Sequence, residues 1–98
     1  MSEEIINKIR KFFKDKPVIK AYLFGSYARN EQDEKSDIDI LVELDYTQKV
    51  GMEYIRMKLE LEDLLKNKVD LVSAGGLSKY IKPYIDKDKI LIYEREIR

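Results

Sequence analysis

The feature that most constrains this chain is the segment from Asp37 to Leu44, in which large apolar residues occupy every second position. Successive side chains of a β-strand point to opposite faces of the sheet. The alternation therefore predicts a strand with one face on a hydrophobic core. That face carries Ile38, Ile40, Val42 and Leu44, and the opposite face carries Asp37, Asp39, Leu41 and Glu43.

Three shorter segments predict the other strands. Val18 to Phe24 is an apolar run with a single lysine, which is typical of a buried strand. Lys68 to Ser73 contains Val-Asp-Leu-Val and predicts a short strand whose Asp70 points away from the core. Lys89 to Tyr93 predicts a last short strand.

Apolar residues at helical spacing predict three helices. The first covers residues 5–13 and is closed by Pro17, the second runs from Val50 to Leu65, and the third covers residues 77–85, where Pro83 either kinks or restarts it. Helices alternating with strands indicate an α/β (α+β) fold, in which helices pack against a small mixed β-sheet. The tyrosines are expected mainly in core and rim packing, with a partner interface as the alternative; they are Tyr46, Tyr54, Tyr80, Tyr84 and Tyr93.

Length and composition narrow the class of protein. A chain of 98 residues predicts a single domain spanning 1–98. No apolar run approaches the roughly 20 residues of a membrane span, and the acidic start lacks the layout of a signal peptide. A cytoplasmic protein is therefore expected.

Because the chain has no cysteine and no histidine, thiolate metal sites, cysteine nucleophiles and a histidine base are excluded. The net charge of zero does not indicate a general affinity for nucleic acid.

Asp37 and Asp39 are the first candidates for a chemical role. Two residues apart on a strand, their side chains leave the same face and can reach a shared cation. Repulsion and desolvation make such a pair costly unless a cation offsets them, and Mg²⁺ prefers carboxylates together with substrate phosphates. If the third strand lies beside this one, Asp70 joins the pair. Three carboxylates around two metal ions suit in-line phosphoryl displacement.

Gly25 and Ser26 provide a candidate phosphate site. A glycine lets the backbone approach phosphate oxygens closely. Amides at the start of a short helix, expected from Ser26 to Arg29, point at anions, and the Ser26 hydroxyl can add a contact. A triphosphate would then lie between this turn and the carboxylates.

Each feature alone also has a structural explanation. An Asp-x-Asp on a strand is often a solvated face, a Gly-Ser before a helix is often a cap, and Asp70 can be a half-exposed strand residue. The combination of all three at this spacing favours a functional site.

The combination resembles the signature of the polymerase-β-like nucleotidyltransferase superfamily, which is Gly-Ser, ten residues, then Asp-x-Asp. Gly-Ser-Tyr-Ala-Arg followed by Ser-Asp-Ile-Asp-Ile-Leu-Val is similar to its minimal nucleotidyltransferase (MNT) branch, and the resemblance covers nearly the whole chain. The branch usually has glycine after the arginine. Here Asn30 stands there, a residue that also tolerates left-handed backbone, so the turn is expected to survive.

The resemblance implies a polymerase-β-like nucleotidyltransferase fold and a role for each residue. Asp37 and Asp39 would bind two Mg²⁺ ions, and Asp70 would bind metal and help to activate the incoming hydroxyl. Gly25 and Ser26 would hold the triphosphate of ATP. For Arg29 two roles stay open, a structural salt bridge and a phosphate contact.

The resemblance also implies the acceptor. Minimal members of this kind are typically encoded with a HEPN-domain protein, and they act as antitoxins that transfer AMP from ATP to a tyrosine of that toxin. Two alternatives remain open at this point. One is a binding antitoxin that neutralises its partner without catalysis, and the other is nucleotidyl transfer to a small molecule or an RNA end.

Overall fold

The computed structural model describes residues 1–96 of the chain, and its four strands follow the predicted segments. They are β1 (Val18–Phe24), β2 (Ile38–Leu44), β3 (Val69–Ser73) and β4 (Ile90–Glu94). Each begins within one residue of its predicted start, because apolar alternation and short apolar runs are local properties of the sequence.

Three helices connect and cover the strands: α1 (Glu3–Phe13), α2 (Gly51–Leu65) and α3 (Lys82–Asp88). Ser2 caps α1, its Oγ accepting a hydrogen bond from the Ile5 amide at 3.3 Å. Pro83 lies in the first turn of α3, where proline is tolerated, so it marks a new helix rather than a kink. A single 3₁₀ turn, Ala74–Gly76, follows β3. Among residues 1–96 no helix combines the length and the apolar character needed to cross a membrane.

The four strands form one mixed sheet in the order β3-β2-β1-β4. β1 runs antiparallel to both β2 and β4, whereas β2 and β3 are parallel. A parallel pair needs a crossover connection, and α2 supplies it. The mixed sheet with helices packed against it confirms the predicted fold class.

The hydrophobic core lies between the sheet and the two longer helices. Ile9 and Phe13 of α1 and Met57 and Leu61 of α2 are fully buried there. The predicted inward face of β2 joins the same cluster. Leu41, on the opposite face of β2, and Ile85 of α3 are also buried, but apart from that cluster. One face of the sheet is therefore sealed by α1 and α2.

The tyrosines divide into two groups. Tyr54 and Tyr93 are half-buried and pack against the core, as predicted. For Tyr46, Tyr80 and Tyr84 the prediction of core or rim packing is wrong, since their side chains are 65%, 75% and 74% exposed. The reason for the last two is that α3 begins only at Lys82 and buries a single residue.

Candidate active site

The parallel pairing of β2 and β3 brings Asp39 and Asp70 together. The two residues are direct partners in the register. Val69 and Leu71, which flank Asp70, are buried in the core beneath the sheet, so Asp70 leaves the opposite face. The expectation that the third strand lies beside the second, with its aspartate on the same surface as Asp39, is confirmed.

Asp39 lies in the most enclosed position of the three candidate carboxylates. It is half-buried, whereas Asp37 and Asp70 are exposed. The pKa of Asp39 is raised to about 6, chiefly by burial and also by the negative charges of Asp70 and Asp37. The positive charge of Arg29 opposes this rise. Like charges raise the pKa of a carboxyl group only when they lie nearby. The three carboxylates therefore form one electrostatic cluster. Such a perturbed carboxyl group beside like charges is typical of a functional site.

The donor set of this cluster suits a hard divalent cation, which prefers carboxylate oxygens. In the part of the chain that the structure describes, no three acidic side chains converge closely enough to ligate one ion as they stand. Since Asp37 and Asp70 are exposed, rotation of their side chains can bring oxygens toward Asp39 without disturbing the core. The residues therefore fit Mg²⁺ by chemistry and by backbone position, and they do not form a closed coordination shell.

Gly25 lies directly against the carboxylate of Asp39. It follows Phe24, which pairs with Asp39 across β1 and β2, and its backbone has a φ of 74°. A Cβ atom built on this residue would overlap Oδ2 of Asp39. Both the left-handed backbone and the close approach therefore require glycine at this position. The candidate phosphate turn and the candidate metal ligands are neighbours in space.

The segment after Gly25 is a series of hydrogen-bonded turns, so the short helix predicted from Ser26 to Arg29 is wrong. The Arg29 amide donates to the Gly25 carbonyl at 3.1 Å, and the Glu31 amide donates to the Ser26 carbonyl at 2.8 Å. Asn30 then adopts a left-handed backbone with φ of 60°, which ends the run before a helix can form. The prediction that Asn30 preserves the turn is confirmed.

Arg29 ties this turn to the end of α3. Its Nη1 lies 2.6 Å from Oδ2 of Asp88, and its Nε lies 3.5 Å from Oε1 of Glu31. The structural salt bridge, one of the two roles predicted for Arg29, is thus present. The guanidinium also acts on the pKa of Asp39 through its charge, which places it beside the carboxylate cluster.

Sequence reasoning missed two residues next to the site. No sequence pattern pointed to Asp88, because its ion pair with Arg29 joins segments that are far apart in the chain. Tyr54 was predicted only for core or rim packing or for a partner interface. In the structure its hydroxyl donates to the Leu71 carbonyl. Burial raises the pKa of Tyr54, and the charge of Asp70 raises it further, so the phenol lies close to that carboxylate.

Comparison with protein families gives one match that spans most of the chain. The family model described as "Polymerase beta, Nucleotidyltransferase" matches residues 7–98. An inferred protein adenylyltransferase of Methanocaldococcus jannaschii is 46% identical, over 92% of this chain and 93% of that protein. The protein adenylyltransferase MntA of Thermococcus cleftensis is 34% identical, over 71% of this chain and 70% of that protein.

Two solved structures share the fold. One is a toxin-antitoxin with AMP-PNP, to which this chain is similar with a TM-score of 0.79 and 28% identity, over 93% of this chain and 74% of that chain. The other is a tri-AMPylated HEPN toxin of Shewanella oneidensis in complex with MNT antitoxin. It matches with a TM-score of 0.74 and 26% identity, over 96% of this chain and 73% of that chain.

Proposed function

We propose, since this chain belongs to the polymerase β nucleotidyltransferase family, that it is an antitoxin that transfers AMP from ATP to a tyrosine hydroxyl of a HEPN-domain toxin. The observation that carries the proposal is the contact between the Gly25 turn and Asp39, which in turn pairs with Asp70. The names of the relatives, protein adenylyltransferases and toxin-antitoxin complexes, support the acceptor. Use of ATP supports a cytoplasmic location.

Asp37, Asp39 and Asp70 are the residues that would hold divalent metal, and we propose two Mg²⁺ ions. When bound, Mg²⁺ neutralises the charge of the triphosphate and lowers the pKa of the acceptor hydroxyl. Asp39 and Asp70 are held beside each other by the strand register, so their backbones need not move. The exposed side chains of Asp37 and Asp70 would complete the site.

The turn at Gly25 would bind the triphosphate. Because residue 25 has no side chain, phosphate oxygens can lie against the backbone at a distance that any Cβ would prevent. Ser26 can donate its hydroxyl to a phosphate oxygen. Arg29 already lies beside the carboxylates, and it anchors the turn through Asp88.

The transfer is a single displacement at the α-phosphorus of ATP. The tyrosine oxygen of the acceptor forms a bond to that phosphorus while the bond to the bridging oxygen breaks, and pyrophosphate leaves in line. Asp70 would help to remove the proton of the incoming hydroxyl, the role that the family resemblance implies, and its side chain is exposed to an incoming acceptor. This role replaces the base that a chain without histidine cannot supply.

The test is to mix this chain with the HEPN-domain protein encoded beside it, Mg²⁺ and ATP, and to weigh both proteins. We expect an added AMP mass on the partner. Asp39→Ala should abolish transfer and leave the fold intact, because Asp39 is only half-buried and lies outside the core cluster. Asp63→Ala, a change at an exposed residue of α2, is the matched control and should transfer AMP normally.

Two outcomes would overturn the proposal. The first is a wild-type chain that adds no AMP to the partner. The second is an Asp39→Ala variant that transfers AMP with normal Mg²⁺ dependence. A triple variant at Asp37, Asp39 and Asp70 that still neutralises the toxin would instead establish the non-catalytic binding antitoxin. An AMP adduct found only on small molecules or RNA would establish the remaining alternative.

A further inference from the structure

The free edge of β3 is held by two side chains of α2. In a parallel pair, alternate residues of a strand direct their amide and carbonyl groups to the neighbouring strand. The Ile38 amide donates to the Lys68 carbonyl at 2.9 Å, so residues 68, 70 and 72 face β2. Residues 69, 71 and 73 face the other way, where the sheet formed by residues 1–96 has no further strand.

Two of those outward groups are hydrogen-bonded to side chains of α2. Glu62 accepts a hydrogen bond from the Val69 amide through Oε2 at 3.1 Å. The Tyr54 hydroxyl donates to the Leu71 carbonyl. The two bonds hold the residues immediately before and after Asp70, whose own backbone faces Asp39. Asp70 is therefore fixed from β2 on one side and from α2 on the other.

We infer that Tyr54 and Glu62 are positioning residues for Asp70, which they hold in register with Asp39 through hydrogen bonds to the outer edge of β3. The inference rests on the proposed function only for the role of Asp70, which is to bind metal and to help activate the acceptor hydroxyl. The need for such support is physical: β3 is an edge strand of five residues, and its outer amide and carbonyl groups have no neighbouring strand among residues 1–96 to hold them. Groups hydrogen-bonded directly to a metal ligand commonly change metal affinity about 10–100-fold when removed, and the lower end of that range is expected for bonds that act through the backbone next to Asp70.

Four variants separate positioning from general stability. Tyr54→Phe removes only the hydroxyl and keeps the packed ring. Glu62→Ala removes the acceptor, whereas Glu62→Gln keeps an acceptor oxygen for the Val69 amide. Tyr80→Phe makes the same chemical change as Tyr54→Phe at a side chain that is 75% exposed, and it serves as the matched control.

The first measurement is the Kd for Mn²⁺ in the presence of AMP-PNP, taken where thermal melts show each variant folded. We expect Kd to rise about tenfold in Tyr54→Phe and Glu62→Ala, and to stay near the wild-type value in Glu62→Gln and Tyr80→Phe. Amide hydrogen exchange of residues 69–72 should accelerate in the first two variants alone. Wild-type Mn²⁺ affinity in folded Tyr54→Phe and Glu62→Ala would overturn the inference.

The second measurement is AMP transfer to the HEPN-domain partner, relative to the wild type. In Tyr54→Phe we expect kcat to fall, with the Mg²⁺ concentration for half-maximal rate raised by a similar factor and the KM for ATP changed less. A fall in melting temperature with unchanged kcat and Mg²⁺ dependence would show a structural role and refute positioning. If the wild type transfers no AMP, the proposed function fails, while Mn²⁺ affinity still decides the inference about Tyr54 and Glu62.

Discussion

Asp39 and Gly25 lie against each other, and this contact limits which residue can occupy position 25. The carboxylate Oδ2 of Asp39 fills the space where a Cβ on residue 25 would lie. The left-handed φ of Gly25 directs the chain away from β1 immediately afterwards. A residue with no side chain is therefore needed both for the backbone and for the neighbouring carboxylate.

Gly25→Ala should lower both stability and nucleotide binding. A left-handed backbone costs an L-residue about 1–2 kcal/mol, and the added methyl group must displace Asp39. Urea unfolding and binding of AMP-PNP with Mn²⁺ measure the two effects. Gly51→Ala is the control, since no atom lies within 4 Å of a Cβ built there. Equal stability and equal nucleotide binding in the two variants would contradict the requirement for glycine at position 25.

The raised pKa of Asp39 predicts how its replacement changes stability with pH. Its pKa of about 6 in the folded chain lies above the ordinary 3.8, so the folded state holds the proton more tightly than the unfolded state does. Ionisation of Asp39 therefore lowers the free energy of unfolding. This loss is absent below about pH 4, grows as the pH rises to about 6, and is complete above that pH. Asp39→Asn removes this cost.

We expect metal-free Asp39→Asn to melt at a higher temperature than the wild type at pH 7.5, and the difference to vanish below about pH 4. Melting curves across this range provide the measurement. Asp63→Asn, at a side chain that is 88% exposed, should show no such trend. A difference for Asp39→Asn that does not depend on pH would mean that its carboxyl group is not perturbed by burial and by its neighbours.

Among the elements, α3 contacts the rest of the molecule through the buried Ile85 and through charged groups at its end. Asp88 pairs with Arg29. Lys89, the next residue, places its Nζ 4.7 Å from the centre of the Tyr22 ring and 2.9 Å from Oδ1 of Asp86. Only Ile85 of α3 is buried. The turn after Gly25 and the end of α3 are therefore linked by the ion pair between Arg29 and Asp88.

Asp88→Asn decides between the two roles predicted for Arg29. If the ion pair anchors the turn, as the structure indicates, the KM for ATP should rise several-fold, with a small effect on melting because partly exposed ion pairs contribute roughly 0–1 kcal/mol. A lower KM would instead show that Asp88 competes with phosphate for Arg29. Asp86→Asn, which breaks pairs with Lys82 and Lys89 around α3, is the control.

For the whole molecule, stability depends on the single core beneath the sheet. Phe13 is fully buried at the contact of α1 with the sheet, and its ring lies 5.8 Å from that of Tyr93. Phe12, its neighbour in α1, is only half-buried. The two residues thus allow the same chemical change to be compared in the core and at its border.

Phe13→Ala should cost about 3–5 kcal/mol of unfolding free energy, because it removes a large apolar side chain and leaves a cavity. Phe12→Ala should cost clearly less. Urea titrations of both variants provide the comparison. Similar losses would mean that the core does not extend to α1 as described.

The fold could be predicted largely because its signals are local. The alternation in β2 and the apolar run of β1 are visible in consecutive residues, and the Gly-Ser and Asp-x-Asp spacing identified the candidate site. The helix predicted after Ser26 was wrong, since a left-handed Asn30 ends the turns. The exposure of Tyr84 was missed because the start of α3 at Lys82 depends on how the chain docks.

The sequence by itself determined that no histidine or cysteine is available for chemistry, and it predicted three aspartates and a glycine turn as the candidates. It also predicted that Asp37 and Asp39 share a face, from the two-residue period of a strand; in the structure Asp37 immediately precedes β2 and acts on the pKa of Asp39 through its charge. Only the tertiary structure decided that Asp70 pairs with Asp39 and that α2 closes the far edge of β3. The local pattern of β3 predicts which face Asp70 leaves, but which strand lies beside β3 depends on how segments distant in the chain pack together.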